Sequence, residues 1–148
     1  MPYSYLVFGA GRQGTAAAYD LARFGEADRI TLADRDLPTA QRAAERVNQL
    51  TSTNIAAPLA LEVTDTQAVA MALQDVDAAL SAVPYYFNLS LTQAAITAGA
   101  HFCDLGGNTK IVRAQLALNS PRSYRYPICP TTSPAKTPPT CSSTPKIL

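Results

Sequence analysis

The sequence predicts an α/β protein, a doubly wound parallel sheet, and three observations carry that reading. Short apolar runs alternate with stripes at helical spacing through residues 1–118. A glycine-rich turn joins the first run to the first stripe, in "YLVFGAGRQGTAAA" (5–18). The segments between the runs are long enough for helical crossovers, which connect parallel strands and are right-handed in nearly all cases. The expected product is an open parallel sheet covered by helices on both faces.

"YLVFG" (5–9) reads as a buried strand ending in glycine. Gly14, Ala17, Ala18, Leu21 and Ala22 then mark one face of a helix, built of small residues that allow close approach to the sheet, and Gly25 is placed to stop it. "RITLAD" (29–34) is the second strand. Pro38 suits the first turn of the second helix, whose stripe is Ala40, Ala43, Ala44 and Val47. "APLALEV" (57–63) is the third strand, and Thr64 with Gln67 matches a capping box for a short helix through Leu73. "DAALSAV" (77–83) is the fourth strand, stopped by Pro84. Leu91, Ala94, Ala95 and Ala98 form the next stripe, ended by Gly99. "AHFCDLG" (100–106) is the fifth strand. Ile111, Ala114, Gln115 and Leu118 mark a last helix whose stripe Gln115 weakens.

Bulk properties narrow the function. The 148 residues carry 12 basic and 11 acidic side chains, a net charge of +1, which gives no general attraction to nucleic acid or membrane. No apolar stretch approaches the roughly 20 residues of a bilayer span. "MPYSYLVF" lacks the basic start of a secretory signal. Cys103, Cys129 and Cys141 are odd in number and lack CxxC spacing, and His101 is the single histidine, so neither a disulfide framework nor a metal site is expected. These features point to a cytoplasmic protein. Residues 119–148 differ in kind: seven of the eleven prolines, ten Ser or Thr, no Gly and no acidic residue. Such a composition cannot offset the entropy of ordering, and a disordered tail is expected there, outside a domain of residues 1–118.

The glycines at 9, 11 and 14 fit G-x-G-x-x-G in the context that motif needs, after a strand and opening a helix. Gly9 permits the tight turn, Gly11 lets backbone approach a pyrophosphate, and Gly14 allows the helix to pack closely. The loop Gly9, Ala10, Gly11, Arg12, Gln13 and Gly14 would then present helix N–H groups to phosphate oxygens, in a Rossmann-type site. Asp34 closes the second strand 20 residues past Gly14, where an acid accepts hydrogen bonds from a ribose 2′-hydroxyl. Arg35 could stack on adenine or meet a 2′-phosphate, but Asp34 would repel that phosphate, so NAD is favoured over NADP. Asp65 either reaches the adenine edge or simply caps a helix. Ser81, Ala82 and Pro84 could run along the nicotinamide ribose, with Tyr85 and Tyr86 free to pack on a further domain. Asp104 and the Gly106–Gly107 pair end the fifth strand where substrate or nicotinamide would lie. Cys103 alternates inward and reads as a small core residue rather than a nucleophile, and His101 as structural. The Asn88-Leu89-Ser90 sequon reads as chance.

Together "VFGAGRQG", "LADRD", "LSAVPYYFN" and "HFCDLGGN" resemble the saccharopine dehydrogenase family, nearest its bacterial lysine 6-dehydrogenase-like members, over residues 3–118. The resemblance implies an NAD(P)-dependent oxidoreductase acting on the amine carbon of an amino acid. It assigns Gly9, Gly11, Gly14 and Asp34 to the cofactor, Ser81, Val83 and Pro84 to the ribose and nicotinamide, and Asp104 and Asn108 to the substrate side. It also implies that a substrate-binding and dimerising domain should follow. "NSPRSYRYPICPTTSPAKTPPTCSSTPKIL" takes its place, which reads as out-of-frame or non-homologous sequence, or else as a genuine flexible tail. Without that domain the chain alone would bind cofactor but turn over no amino acid. The competing reading is a stand-alone NAD(H)-binding regulatory or redox-sensing module.

Overall fold

The computed structural model describes residues 2–118. Five strands form one wholly parallel sheet: β1 (Tyr3–Phe8), β2 (Ala27–Asp34), β3 (Ala56–Ala60), β4 (Ala78–Ser81) and β5 (His101–Asp104). Their order across the sheet is β3-β2-β1-β4-β5. Five helices connect and follow them: α1 (Arg12–Phe24), α2 (Leu37–Thr51), α3 (Thr66–Ala72), α4 (Asn88–Ala98) and α5 (Thr109–Leu118). This is the doubly wound fold expected, and none of the helices among the described residues is long and apolar enough to cross a membrane.

β1 is the central strand, so both its faces need apolar cover. Val7 joins the core on the α1–α2 side with Ala18, Ile30, Leu32 and Val47. Leu6 and Phe8 join the opposite core with Val69 of α3, Leu73 just after it, and Leu91 and Ala95 of α4. All three β1 side chains are fully buried, each stabilising the fold by about 1.5–3 kcal/mol on removal from water. Pro58 sits in β3, an edge strand, the sheet position that tolerates a residue with no N–H.

The helices follow their local signals. In α1, Gly14 and Ala18 are buried. A methyl group on Gly14 would collide with the Gly9 carbonyl oxygen, so the helix and the preceding loop touch backbone to backbone. α2 begins at Asp36, whose side chain accepts the Thr39 N–H at 3.0 Å. It buries Ala40, Ala43, Ala44 and Val47, the stripe read from spacing. Asn48, on the same helix, clamps Ala56 of β3: it accepts the Ala56 N–H at 3.0 Å and donates to its carbonyl at 2.8 Å. α4 ends at Gly99 in the left-handed region, φ 76°.

Two expectations are corrected. The cap of α3 is Asp65, whose Oδ1 accepts from Gln67 and Ala68, and not Thr64. A carboxylate is the better partner for two N–H groups at the positive end of a helix. Cys103 is exposed rather than in the core. It lies on β5, an edge of the sheet, on the side away from Phe102 and the α3–α4 core. Gln115 has a use: its Nε2 donates to Thr92 at 2.8 Å and to Asp104 at 2.6 Å, fastening α5 to α4 and to the end of β5. The Pro/Ser/Thr-rich stretch, 119–148, lies outside the described residues.

Candidate functional site

β1 and β4 are neighbours whose onward connections leave to opposite faces, so a crevice opens beyond their carboxyl ends. The sheet ladder carries the chain into it. Gly9 donates to the Ala33 carbonyl at 2.7 Å, and Ala82 to that of Phe8 at 2.7 Å. Gly9 then turns with φ 94°, and a Cβ there would press within 3.0 Å of the Ala82 carbonyl oxygen. The two loops therefore meet at the crevice floor with no room for a side chain at residue 9.

Gly11 is different. Its backbone is extended, φ −71° and ψ −166°, a conformation open to any residue, and a Cβ would meet nothing within 4 Å. The fold therefore makes no demand for glycine there; what the missing side chain leaves is open space at the start of α1. That helix start carries no side-chain cap and no acidic residue in its first turn. Three other helices are closed by their own side chains: α2 by Asp36, α3 by Asp65, and α5 by Asn108, which accepts from Lys110 and Ile111 at 3.0 and 3.2 Å. α4 continues from a 3-10 turn at Tyr85–Phe87 and also lacks a side-chain cap. The α1 terminus thus directs free N–H groups and partial positive charge toward the crevice.

Asp34 lies at its rim, half-buried. One oxygen accepts the Ala10 N–H at 2.9 Å and the other the Asp36 N–H at 3.0 Å. Each oxygen retains a lone pair for a further donor. The crevice encloses about 350 Å³. Gly9, Gly11, Asp34 and Arg35 form one side, Leu61, Glu62 and Val63 the end beyond β3, and Ala82, Val83, Pro84, Tyr86 and Phe87 the other side.

Some expected site residues are elsewhere. Ser81 is 1% exposed and donates to Asn88 Oδ1 at 2.7 Å. It braces the end of β4 against the start of α4 and does not line the crevice. Gln13 is exposed and outside the crevice, and Ala10 and Arg12 line a neighbouring groove between α1 and α2. Of the two alternatives for Asp65 the structure displays the cap. Asp104 accepts the Gly106 N–H of the following loop on one oxygen and the Gln115 amide of α5 on the other, each at 2.6 Å. His101 opens β5, three residues before the carboxyl edge where the crevice lies. Sequence reasoning missed Leu61, Glu62 and Val63, which carry no motif, and Asn88, whose sequon drew attention while its burial at 2% could not be read.

Hydrogen bonding from the Thr39 side chain, chiefly, holds the Asp36 carboxyl below its ordinary value against the opposing effect of desolvation; the Thr39 N–H, Arg42 and Arg35 add to the lowering. Desolvation, then the neighbouring Asp104, pushes the Cys103 thiol up, which favours the unreactive thiol form. Among the described residues no three His, Cys, Asp or Glu side chains gather as a metal site would need.

A family model described as the saccharopine dehydrogenase NADP binding domain matches residues 5–140. Solved structures share the fold. The chain is 24% identical to apo saccharopine dehydrogenase (L-Glu forming) from Saccharomyces cerevisiae, with a TM-score of 0.60 over 75% of this chain and 23% of that one. It is 23% identical to a myo-inositol dehydrogenase from Corynebacterium glutamicum, TM-score 0.59, over 79% of this chain and 32% of that one. It is 17% identical to scyllo-inositol dehydrogenase from Lactobacillus casei with bound NAD(H) and scyllo-inositol, TM-score 0.59, over 80% and 33%. The chain spans a third or less of the length of each of these enzymes.

Proposed function

The chain belongs to the family of saccharopine dehydrogenase NADP binding domains, and from that premise we propose that its crevice grips NAD or NADP for an oxidoreductase acting on the CH–NH group of an amino acid in the cytoplasm. The observation that carries the reading is the pairing of open space at Gly11 with the uncapped start of α1. A pyrophosphate over Gly11 would take up the helix N–H groups left free there, while Asp34 accepts from the adenosine ribose. Arg35 flanks the adenine end, and Ala82, Val83 and Pro84 form the wall along the nicotinamide ribose.

The cofactor supplies the hydride acceptor at nicotinamide C4. Transfer also needs the amine carbon held roughly 3–3.5 Å away and a base for the amine proton. Asp104 is fastened to α5, and His101 stands at the far end of its strand. In this reading, residues beyond the dinucleotide-binding unit contribute the base and the wall that excludes water. Fluorescence or calorimetric titration with NADH tests the reading: the 148-residue chain should bind, and folded Gly11→Val should not. Equal affinity in the two proteins would remove the crevice as the site.

A further inference from the structure

Gln115 of α5 stands where three elements meet. Its Nε2 has two hydrogens, and it spends one on Thr92 Oγ1 of α4 at 2.8 Å and the other on Asp104 Oδ2 of β5 at 2.6 Å. Each contact continues. Thr92 donates to the Asn88 carbonyl at 2.6 Å, and the Asn88 side chain accepts from Ser81 at 2.7 Å. Ser81 is in turn the register partner of Asp104 across β4 and β5. The contacts therefore close a circuit around the carboxyl ends of these two strands, and Gln115 is its member from α5.

The circuit bears on the crevice at two places. Ser81 leads directly into Ala82, Val83 and Pro84, part of the crevice wall. On the other side, Asp104 accepts the Gly106 N–H and shapes a loop in which Gly106 and Gly107 both turn with positive φ, 72° and 117°. Gly107 lies against Tyr85, where a Cβ would come 3.5 Å from the Tyr85 Cβ. Tyr85 packs edge-on against Tyr86, and Tyr86 and Phe87 line the crevice. α5 has no fully buried residue, so these polar contacts weigh heavily in where it sits.

Resting on the dinucleotide reading above, we propose that Gln115 is a positioning residue for the nicotinamide end of the crevice. It touches no cofactor itself. By holding Asp104 and Thr92 together, it fixes the loop at Gly106–Gly107 against the turn at Tyr85–Phe87. Linked hydrogen bonds in a half-buried site polarise one another and act as a unit, so a break at Gln115 reaches both arms. The adenosine end, built on Gly9, Gly11 and Asp34, contributes no member to the circuit and stays as it is.

The test compares NADH with ADP-ribose, which has the same adenosine, pyrophosphate and second ribose but no nicotinamide. Both are titrated into the 148-residue chain and its variants, with thermal melts to confirm folding. Gln115→Glu sets a carboxylate against Asp104 and opens the circuit. It should weaken NADH about tenfold and change the nicotinamide fluorescence of the bound form, with ADP-ribose held within about twofold. Asp104→Asn in that background reverses the bond: the new amide donates to the new carboxylate, and its oxygen still accepts from Gly106. NADH affinity should return to within about threefold of wild type. Thr92→Val cuts only the α4 arm and should weaken NADH alone by a smaller factor, a result that decides the matter should Gln115→Glu fail to fold. Equal loss of NADH and ADP-ribose, NADH affinity unmoved, or a loss that Asp104→Asn does not restore overturns the positioning role and leaves the dinucleotide reading standing. Failure of the wild-type chain to bind either ligand overturns the dinucleotide reading and this inference with it.

Discussion

The Asp34 carboxylate accepts the Ala10 N–H at 2.9 Å across 24 residues of sequence. The residue expected to meet a ribose is thus also the post to which the glycine loop is tied. Asp34→Ala should free the loop and orphan two N–H groups, destabilising the fold by about 1–3 kcal/mol and weakening both cofactors. Asp34→Asn keeps one acceptor, so it should stay closer to wild type in stability while shifting the ratio of affinities toward NADP. Melting curves and paired titrations separate the two effects. Equal outcomes for Ala and Asn would mean the tie to Ala10 carries nothing.

Gly14 and Gly11 should fail in opposite ways. A methyl group at Gly14 runs into the Gly9 carbonyl, whereas at Gly11 it enters open space. Gly14→Ala is expected to cost at least about 2 kcal/mol and lower Tm by roughly 8 °C or more. Gly11→Ala should melt within a degree or two of wild type. Similar melting of the two variants would contradict the backbone contact between α1 and its loop.

Asn88 is a buried polar brace. Asn88→Ala leaves the Ser81 hydroxyl without its acceptor in a site closed to water, which should cost about 1–3 kcal/mol. Ser81→Ala in that background should then cost little more, and a double-mutant cycle reads the coupling. Additive losses would show that the two side chains act independently.

Asp36 gives the fold an acid-side dependence. Its carboxyl titrates below its ordinary 3.8, because the folded state bonds the ionised form to Thr39. A lowered folded value means that this stabilisation is complete above the unfolded value and is lost as pH falls through the folded one. Wild type should therefore lose stability relative to Asp36→Asn below about pH 4, and the difference should be constant from pH 5 to 7. Parallel stability curves across the acid range would count against this role.

Catalysis by the chain alone is not expected. Purified protein supplied with NAD or NADP and with lysine, saccharopine or a related amino acid should form no reduced cofactor above the enzyme-free rate. Turnover would place the base among this chain's own residues.

Much of this was legible because it is local. The α2 stripe, the Gly25 and Gly99 stops and the glycine loop depend on spacing within a few residues, and spacing survives in any context. Strand ends were misjudged for a tertiary reason. β4 stops at Ser81, not residue 83, because Ala82 to Pro84 leave the sheet to wall the crevice. Alternation along β5 cannot say which face is covered, and Cys103, read as facing inward, proved to be exposed. Asp65, Asp104 and Asn108 looked available for a ligand. Asp65 and Asn108 also accept backbone amides at the starts of α3 and α5, and Asp104 one in the loop after β5, a use of short polar side chains that spacing alone does not display. Leu61 and Val63 carry no chemical signal, and only the folded chain brings them to the crevice.

The pairing of β1 with β4 has a consequence for assembly. Tyr5 lies opposite Ala78, so the central strand waits more than seventy residues of synthesis for its second neighbour. The glycine loop, Asp34 and β2 are all made within the first 36 residues and pair nearby in sequence. The wall at Ala82 to Pro84 comes only with the long-range closure, the slow kind of step in folding. One half of the crevice can therefore form early on the nascent chain, while the other half forms late. A ligand spanning both halves favours only the closed state and adds to its stability by mass action. Refolding yield should accordingly rise when the dinucleotide is present from the start.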